Sequence, residues 1–234
     1  MEYGTLYLIP SDFGEDSQIL IPVSVIDIVN SLDHFIVENE KAARHFLKRI
    51  GYNKPLNSLT LFALNEHTKK DDIKKFLEPI LKGINIGLLS EAGCPGVADP
   101  GADIVSIAHH SNIKVKPLVG PSSILLALMA SGFNGQNFVF HGYLPKENPE
   151  RIKKIRQLES DAINKNQTQI FIETPYRNNN LLKEILDTCG KNTLLSVACE
   201  VTLPTEFIKT SSIAEWKRNI PDLHKRPTVF LIYK

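Results

Sequence analysis

The sequence is poor in cysteine and has almost no net charge. Its three cysteines, Cys94, Cys189 and Cys199, show no CxxC spacing, which argues against a disulfide framework and against a zinc site held by thiolates. The seven histidines form no HExxH pattern, so we expect no bound metal. A formal net charge of +1 over 234 residues excludes a polycationic nucleic-acid binder, although a local basic patch stays possible.

Signals for a membrane protein and for an ordinary dinucleotide-binding domain are also missing. No stretch approaches the roughly 18 uninterrupted apolar residues of a membrane-spanning helix, and no basic segment with a cleavage site opens the chain. We therefore expect a cytoplasmic protein without a membrane partner. The first β-rich run, residues 5–9, leads into a loop with the single glycine Gly14, where a Rossmann domain would need GxGxxG.

What the sequence does have is a regular alternation of strand and helix patterns. From residue 5 to residue 131 this alternation is typical of a doubly wound parallel α/β unit. Residues 71–82 carry apolar side chains at helical spacing and predict one continuous helix that ends at Gly83. Pro22 is expected to begin a helix that buries Val23, Ile26 and Val29.

The second half of the chain has a similar mixture of patterns. Strand patterns at 137–141, 169–172, 194–199, 206–209 and 229–233 are separated by helix patterns, one of which begins at Thr174-Pro175. A chain of this length can bury two cores. We predict an N-terminal α/β domain over residues 1–116 and a C-terminal α/β domain over residues 117–234.

Two loops rich in small residues lie between residues 87 and 123. One strand pattern runs into residues 93–96 (GCPG), and the next runs into residues 120–123 (GPSS). Bare backbone lets a ligand approach closely. Because ligands of open α/β sheets bind at the carboxyl ends of the strands, we predict that these two strands are adjacent and that their loops form a small-molecule site. Turn chemistry explains either loop alone, but the pair favours a ligand.

Six segments also match, in order, the motifs of one known family. They are GTLYLIP at 4–10, SEAGCP at 90–95, DPG at 99–101, PLVGPS at 117–122, FHGYLP at 140–145 and ETPYR at 173–177. The family has SDAGTP, DPG, PLPGPS, FxGFLP and ESPHR at the last five. On these motifs the chain resembles the tetrapyrrole methylase superfamily of S-adenosylmethionine-dependent methyltransferases. Within it, the chain resembles the branch of the ribosomal RNA small subunit 2′-O-methyltransferase I.

The resemblance implies two α/β domains with S-adenosylmethionine in the cleft between them, usually in a homodimer. It implies RNA, ribosomal in the named branch, or a small molecule as the methyl acceptor. Backbone carbonyls of bare loops suit a sulfonium whose positive charge is lost as the methyl leaves. Carried over position by position, the cofactor-binding residues are Pro10, Gly93, Cys94, Pro95, Val97, Ser122 and Ser123 in the first domain, and Ala198, Pro227 and Thr228 in the second.

Methylation of a ribose hydroxyl also requires removal of its proton, and polar residues at strand exits are the candidates. Glu173 ranks first because it opens the ETPYR segment, and Glu66 is a further candidate. Arg177, which completes the predicted catalytic set, is available for phosphate. Any one of them can equally be a cap or a structural ion pair. The other candidates at strand exits are Glu38, His67, Glu91 and Glu200, with Lys41 available for phosphate.

A basic helix pattern follows the FHGYLP segment. It contains Lys146, Arg151, Lys153, Lys154 and Arg156. Such a helix is either a solvated face or a surface that holds an RNA backbone.

Three segments depart from the family's pattern. The family's TPIGN is SDFGE at 11–15, its EDTR is ENEK at 38–41, and the final strand follows Arg226-Pro227 instead of Gly-Glu. The first change places two additional acids where RNA would approach. Three functions stay open: an RNA 2′-O-methyltransferase, a methyltransferase for a tetrapyrrole or other small molecule, and a cofactor-binding protein without catalysis. The polar strand exits argue against the apolar trough that a tetrapyrrole needs.

Overall fold

The computed structural model describes residues 3–15, 18–64, 68 and 70–234, with the side chains of residues 18, 70 and 71 excepted. The chain divides into two compact units, one ending at Ser122 and the other spanning Ser123–Lys234. The boundary predicted after residue 116 falls inside a strand, Lys114–Pro117. Because that strand is hydrogen-bonded into the first sheet, the division comes after it. No helix in the described ranges is long and apolar enough to cross a membrane.

The first unit is built on a parallel five-stranded sheet. The strand order is β3-β2-β4-β1-β5, and every pairing is parallel. All four residues of the central strand β4 are buried, as expected for a parallel strand covered on both faces. The strands are β1 (Thr5–Ile9), β2 (His34–Val37), β3 (Thr60–Ala63), β4 (Ile86–Leu89) and β5 (Lys114–Pro117).

The prediction that β4 and β5 are adjacent is wrong, because β1 lies between them. Leu8 of β1 is in register with Leu88 on one side and with Pro117 on the other. Apolar periodicity identifies the strands but does not say which edge of β1 each later strand takes. The carboxyl ends of β4, β1 and β5 nevertheless share one edge of the sheet.

Helices cover both faces of this sheet. Successive side chains of a strand point to opposite faces, so the strand residues contribute to two separate cores. One core joins Ile9, Phe35 and Leu89 to the first two helices. The other joins Leu6, Ile36 and Leu88 to the next three. The helices are α1 (Val23–Ser31), α2 (Glu40–Arg49), α3 (Lys70–Phe76), α4 (Glu78–Leu81) and α5 (Gly101–His110), with short 3-10 turns at Gln18–Leu20 and Leu56–Ser58.

Two helix predictions need correction. The helix expected over 71–82 is divided into α3 and α4 at Leu77, because Pro79 has no N–H to continue the ladder of helix hydrogen bonds. In α1 the buried residues are Val25 and Val29, whereas Val23 is 73% exposed. Val23 is the first residue of α1, and the i, i+4 pair of Val25 and Val29 faces the core.

The second unit contains a mixed sheet of five strands in the order β6-β7-β10-β8-β9. Only β6 and β7 pair in parallel among its described strands. Helix α6 packs with one core and α7, α8 and α9 with the other. The elements are α6 (Ser123–Ser131), β6 (Phe138–Tyr143), α7 (Asn148–Asn164), β7 (Thr168–Ile172), a 3-10 turn (Pro175–Arg177), α8 (Asn178–Thr188), β8 (Leu194–Cys199), β9 (Phe207–Ser212), α9 (Ile213–Trp216) and β10 (Thr228–Tyr233).

Candidate cofactor and acceptor site

The exit of β1 is tied directly to the exit of β4. The Ser11 N–H donates to the Gly93 carbonyl at 2.9 Å, and the Gly93 N–H donates back to the Ser11 carbonyl at 3.1 Å. The Ser11 hydroxyl donates to the Ser90 carbonyl at 2.8 Å. These bonds satisfy the backbone groups that both strands leave unpaired where they end.

The exit of β5 lies against the same two loops. The Cys94 thiol donates to the Pro121 carbonyl at 3.4 Å. Gly120 packs on Pro10 so closely that a Cβ at position 120 would lie 2.4 Å from the Pro10 Cβ. The structure therefore brings together Pro10, Gly93, Cys94 and the loop from Gly120, although two of these loops come from strands that are not neighbours.

The loop after β4 is shaped by glycine and by one carboxylate. Gly93 and Gly96 have φ of +73° and +82°, a conformation that residues with side chains rarely adopt. One Asp99 carboxylate oxygen accepts from the N–H groups of Gly96 and Gly101, both at 2.7 Å. Pro95 is buried in this loop, whereas Val97 is 48% exposed. The conformation of the loop is thus fixed by its own hydrogen bonds, and its largest exposed apolar side chain is Val97.

The cofactor residues predicted in the second unit lie together at the ends of β8 and β10. Thr228 is in register with Cys199, and Val229 with Ala198. The Glu200 N–H donates to the Pro227 carbonyl at 2.8 Å. Ala198 is fully buried in the core, while Pro227 is exposed. Of these predicted residues, Pro227 is the one whose side chain presents substantial surface to a ligand.

Glu173 and Arg177, two of the three residues in the predicted catalytic set, form an ion pair. Arg177 Nε lies 2.6 Å from Glu173 Oε1, and its Nη2 donates to Oε2 at 2.8 Å. The Thr174 N–H also donates to Oε2, at 2.7 Å. The Glu173 side chain is only 4% exposed, so its carboxylate is held by the protein. The third candidate, Glu66, lies outside the described residues, as does His67.

A pocket of about 410 Å³ opens in the first unit where β1, β2 and β4 end. We call it the acceptor pocket. Its wall combines carboxylates, basic side chains and the loop after β4 with apolar residues that include Phe13, Val37 and Phe46. Its acidic and basic lining residues are Asp12, Glu38, Lys41, His45, Arg49 and Glu91.

Asp12 in this pocket is not the exposed acid that the sequence predicts. Its side chain is 1% exposed, and it pairs with Arg49, whose Nε donates to Asp12 Oδ2 at 3.0 Å while Nη2 contacts Oδ1. The expectation of two added acids facing a substrate is therefore wrong at this position. The two residues are separated by 37 positions in the chain, so no local sequence pattern predicts the ion pair.

The contribution of the ion pair between Arg49 and Asp12 to the free energy of unfolding can be tested by substitution. We expect Arg49→Met to lower the free energy of unfolding by about 2 kcal/mol, because it leaves the buried Asp12 carboxylate without a charged partner. The measurement is urea unfolding at neutral pH. Arg44→Met on the same helix is the control, since Arg44 pairs with the exposed Glu40, and such pairs contribute under about 1 kcal/mol. Equal losses in the two variants would contradict the buried pair.

Glu38 is the carboxylate whose ionisation the pocket alters. It is half-buried and accepts from the Glu91 N–H at 3.3 Å. Burial raises the pKa of Glu38 above its ordinary value, and the nearby Asp99 carboxylate raises it further. A carboxylate with a raised pKa at a pocket wall is suited to take up a proton near neutral pH.

Residues 14–217 match the family model described as Tetrapyrrole (Corrin/Porphyrin) Methylases. The chain belongs to this family. It is therefore a methyltransferase whose methyl donor is S-adenosylmethionine. The match covers most of both units, so the fold predicted from the motifs is confirmed.

Similar proteins agree with this assignment. A protein of Vibrio cholerae named Ribosomal RNA small subunit methyltransferase I is 29% identical over 97% of this chain and 76% of its own length. One of the same name from Bacillus subtilis is 30% identical over 92% of this chain and 69% of its own length. Among solved structures, the methyltransferase CobJ superposes with a TM-score of 0.66 at 18% identity, covering 100% of this chain and 95% of that one.

The loops of the first unit fit the tetrapyrrole methylase cofactor in their chemistry. Gly93, Gly96 and Gly120 carry no side chain where three strand exits meet, and Gly96 and Gly120 are partly exposed. The thiol of Cys94 is a small side chain that already donates to the Pro121 carbonyl. Small residues and a hydrogen-bond donor are chemically suited to a polar ligand that must approach the backbone closely.

Cys94 is not expected to act as a nucleophile in this methylase. Burial raises the pKa of its thiol, with a further contribution from Asp99, so the thiol is protonated at neutral pH, whereas the thiolate is the reactive form. We expect Cys94→Ser to keep most of the methyl-transfer rate, because the hydroxyl can donate to the same carbonyl. The measurement is initial rate with labelled cofactor. Abolition of transfer, with cofactor binding unchanged, would show that the thiol takes part in the chemistry.

Proposed function

We propose that this chain methylates a ribose 2′-hydroxyl of small-subunit ribosomal RNA. The observation that carries the proposal is the similarity, over 97% of the chain, to a protein named for that RNA. The acceptor pocket supports it, because carboxylates together with Lys41, His45 and Arg49 suit the hydroxyls and phosphate of a nucleotide. A tetrapyrrole would be better served by a wide apolar trough.

Most of the rate acceleration should come from position. Methyl transfer is an in-line displacement, so the acceptor oxygen must be held against the methyl carbon with water excluded. When bound, S-adenosylmethionine supplies that methyl on a positively charged sulfur. We propose that Pro10, Gly93, Cys94, Pro95, Val97 and Ser122 of the first unit hold it. Ser123, Pro227 and Thr228 of the second unit stay predictions. Ala198 supports those residues from within the core.

The proton of the ribose hydroxyl must also be accepted, and we propose Glu38 for that role. It lies on the wall of the acceptor pocket, and the pKa of its carboxyl is raised by burial. Glu173 is the alternative acceptor that the sequence favours, but both of its oxygens accept from Arg177. We therefore assign Glu173 and Arg177 to positioning the loop after β7. Glu66 stays a prediction.

The proposed function is tested by incorporation of tritiated methyl groups from S-adenosylmethionine. The acceptors are assembled small ribosomal subunits, their free RNA, and a small-molecule extract containing tetrapyrroles. We expect label in the RNA of the first or second sample, resistant to alkaline hydrolysis at the modified linkage. Label only in the extract would support the small-molecule alternative. Cofactor binding without any transfer would support a protein that has lost catalysis.

A further inference from the structure

Helix α2 presents a row of basic side chains, which we call the basic stripe. Its five members are spaced i, i+3, i+4, i+7 and i+8 and therefore share one face of the helix. The opposite face is apolar and buried through Ala43, Phe46 and Leu47. The stripe consists of Lys41, Arg44, His45, Lys48 and Arg49.

The basic stripe continues the acceptor pocket. A second pocket of the first unit is lined by all five members together with Glu15, Glu40 and Leu56. Lys41, His45 and Arg49 line both pockets. If a nucleotide of an RNA strand occupied the acceptor pocket, the neighbouring part of that strand would therefore lie beside the stripe.

The charges of the stripe are only partly neutralised by the protein. Arg44 pairs with Glu40 at 3.4 Å and donates to the Leu56 carbonyl. Arg49 pairs with Asp12 through Nε and Nη2. Within the described part of the chain, no carboxylate lies within 4 Å of the ammonium of Lys41 or Lys48, and both residues are exposed. Two exposed lysine ammonium groups and two guanidinium groups with protein partners thus line one pocket.

One arginine of α7, the basic helix pattern that the sequence offers as a solvated face or an RNA-binding surface, is unavailable to an anion. This residue, Arg151, donates from Nε to Glu184 Oε2 at 2.5 Å and from Nη2 to Oε1 at 2.7 Å. Its Nη1 donates to the carbonyls of Pro145 and Lys146. This arginine is committed to the structure of the second unit. Helix α2 is the better candidate for contact with phosphates because its basic side chains Lys41, His45 and Arg49 line the acceptor pocket.

We propose that the sugar–phosphate backbone of the RNA acceptor lies along the basic stripe. Lys41 and Lys48 contact phosphates two helical turns apart, about 10 Å along the axis, while Arg49 faces the phosphate of the nucleotide in the acceptor pocket. Asp12 positions the Arg49 guanidinium for that contact. The inference rests on the proposed function, because it takes RNA as the acceptor.

The test compares two double variants of equal charge change. Lys41→Gln with Lys48→Gln removes the proposed phosphate contacts. Lys183→Gln with Lys217→Gln removes two exposed lysines that line a different pocket in the second unit. Affinity for small-subunit RNA is measured by filter binding across a series of salt concentrations. Methyl-transfer kinetics are measured on the same RNA, and calorimetry with S-adenosylhomocysteine checks that each variant is folded.

We expect the stripe variant to reduce the slope of log affinity against log salt by about 0.7 for each lysine, and to raise the KM for RNA about tenfold with kcat little changed. The control variant should keep the slope and the KM of the parent chain. A stripe variant that matches the parent, or two variants that lose affinity equally, would overturn the inference. If the parent transfers no methyl to RNA, the proposed function fails, whereas the salt slopes still decide whether the stripe binds phosphates.

Discussion

Replacing Glu38 with glutamine is expected to lower kcat for methyl transfer by about 100-fold or more, the contribution of a positioned general base. Glutamine keeps the acceptor oxygen for the Glu91 N–H, so the pocket wall is preserved. Because burial and Asp99 raise the pKa of Glu38, we expect kcat of the parent chain to fall with decreasing pH at a higher pH than for an ordinary carboxyl. The variant should lack that acidic limb. Rates are measured with labelled cofactor between pH 5 and about 9.

Two further variants distinguish the role of Glu38 from a structural one. Asp99→Asn keeps an oxygen for the Gly96 and Gly101 N–H groups but removes the charge that raises the pKa of Glu38, so the acidic limb should move to lower pH. Glu91→Gln changes an exposed carboxylate of the same pocket, which contributes less than Asp99 to the raised pKa of Glu38, and should leave the maximal kcat above the acidic limb nearly unchanged. If Glu173→Gln abolishes transfer in a folded protein while Glu38→Gln does not, the proton acceptor is Glu173.

Replacing Gly120 with alanine is expected to weaken cofactor binding by about 100-fold, because small displacements of a binding loop have effects of that size. A Cβ at this position would lie 2.4 Å from the Pro10 Cβ and 2.7 Å from its Cγ. Neither a proline ring nor the backbone that carries it can turn away as a flexible side chain would. The loops after β1 and β5 must separate, which also strains the contact between Cys94 and Pro121. Calorimetry with S-adenosylhomocysteine measures the loss.

The matched control is Gly135→Ala. A Cβ at position 135 meets no atom within 4 Å, and the φ of this glycine is not in the left-handed region. We expect the control to bind the cofactor as the parent chain does. Urea unfolding of both variants separates a displaced loop from a destabilised fold. Unchanged affinity in the Gly120 variant would mean that the contact between Pro10 and Gly120 does not shape the cofactor site.

Much of the fold follows from local patterns in the chain. Apolar runs at residues 5–9, 35–37 and 86–89 become strands because their side chains can be buried on both faces of a parallel sheet. Of the apolar residues in the pattern over 71–82, Ile73, Leu77 and Ile80 are buried, whereas Leu81 is 43% exposed. The pattern does not predict the break at Leu77, because apolar spacing is insensitive to the missing N–H of Pro79.

The loops proposed to bind the cofactor could be predicted from the sequence for a similar reason. Glycine and proline at residues 93–96 and 120–121 act through the conformation of their own backbone. Their effect on a loop can therefore be predicted without knowing which residues pack against it. The acceptor pocket could not be predicted from the sequence to the same extent. The sequence ranks Glu173 first by its motif. The tertiary structure shows that its carboxylate forms an ion pair with Arg177.

The sequence by itself determined the strands and helices, the bare loops and the methylase family, because each depends on residues close together in the chain or on motifs in a set order. Only the tertiary structure decided that β1 separates β4 from β5, that Asp12 is neutralised by Arg49, and that the basic face of α2 borders the acceptor pocket. Strand order and ion pairing join residues distant in the chain, and their energies depend on burial and distance, which no local pattern encodes.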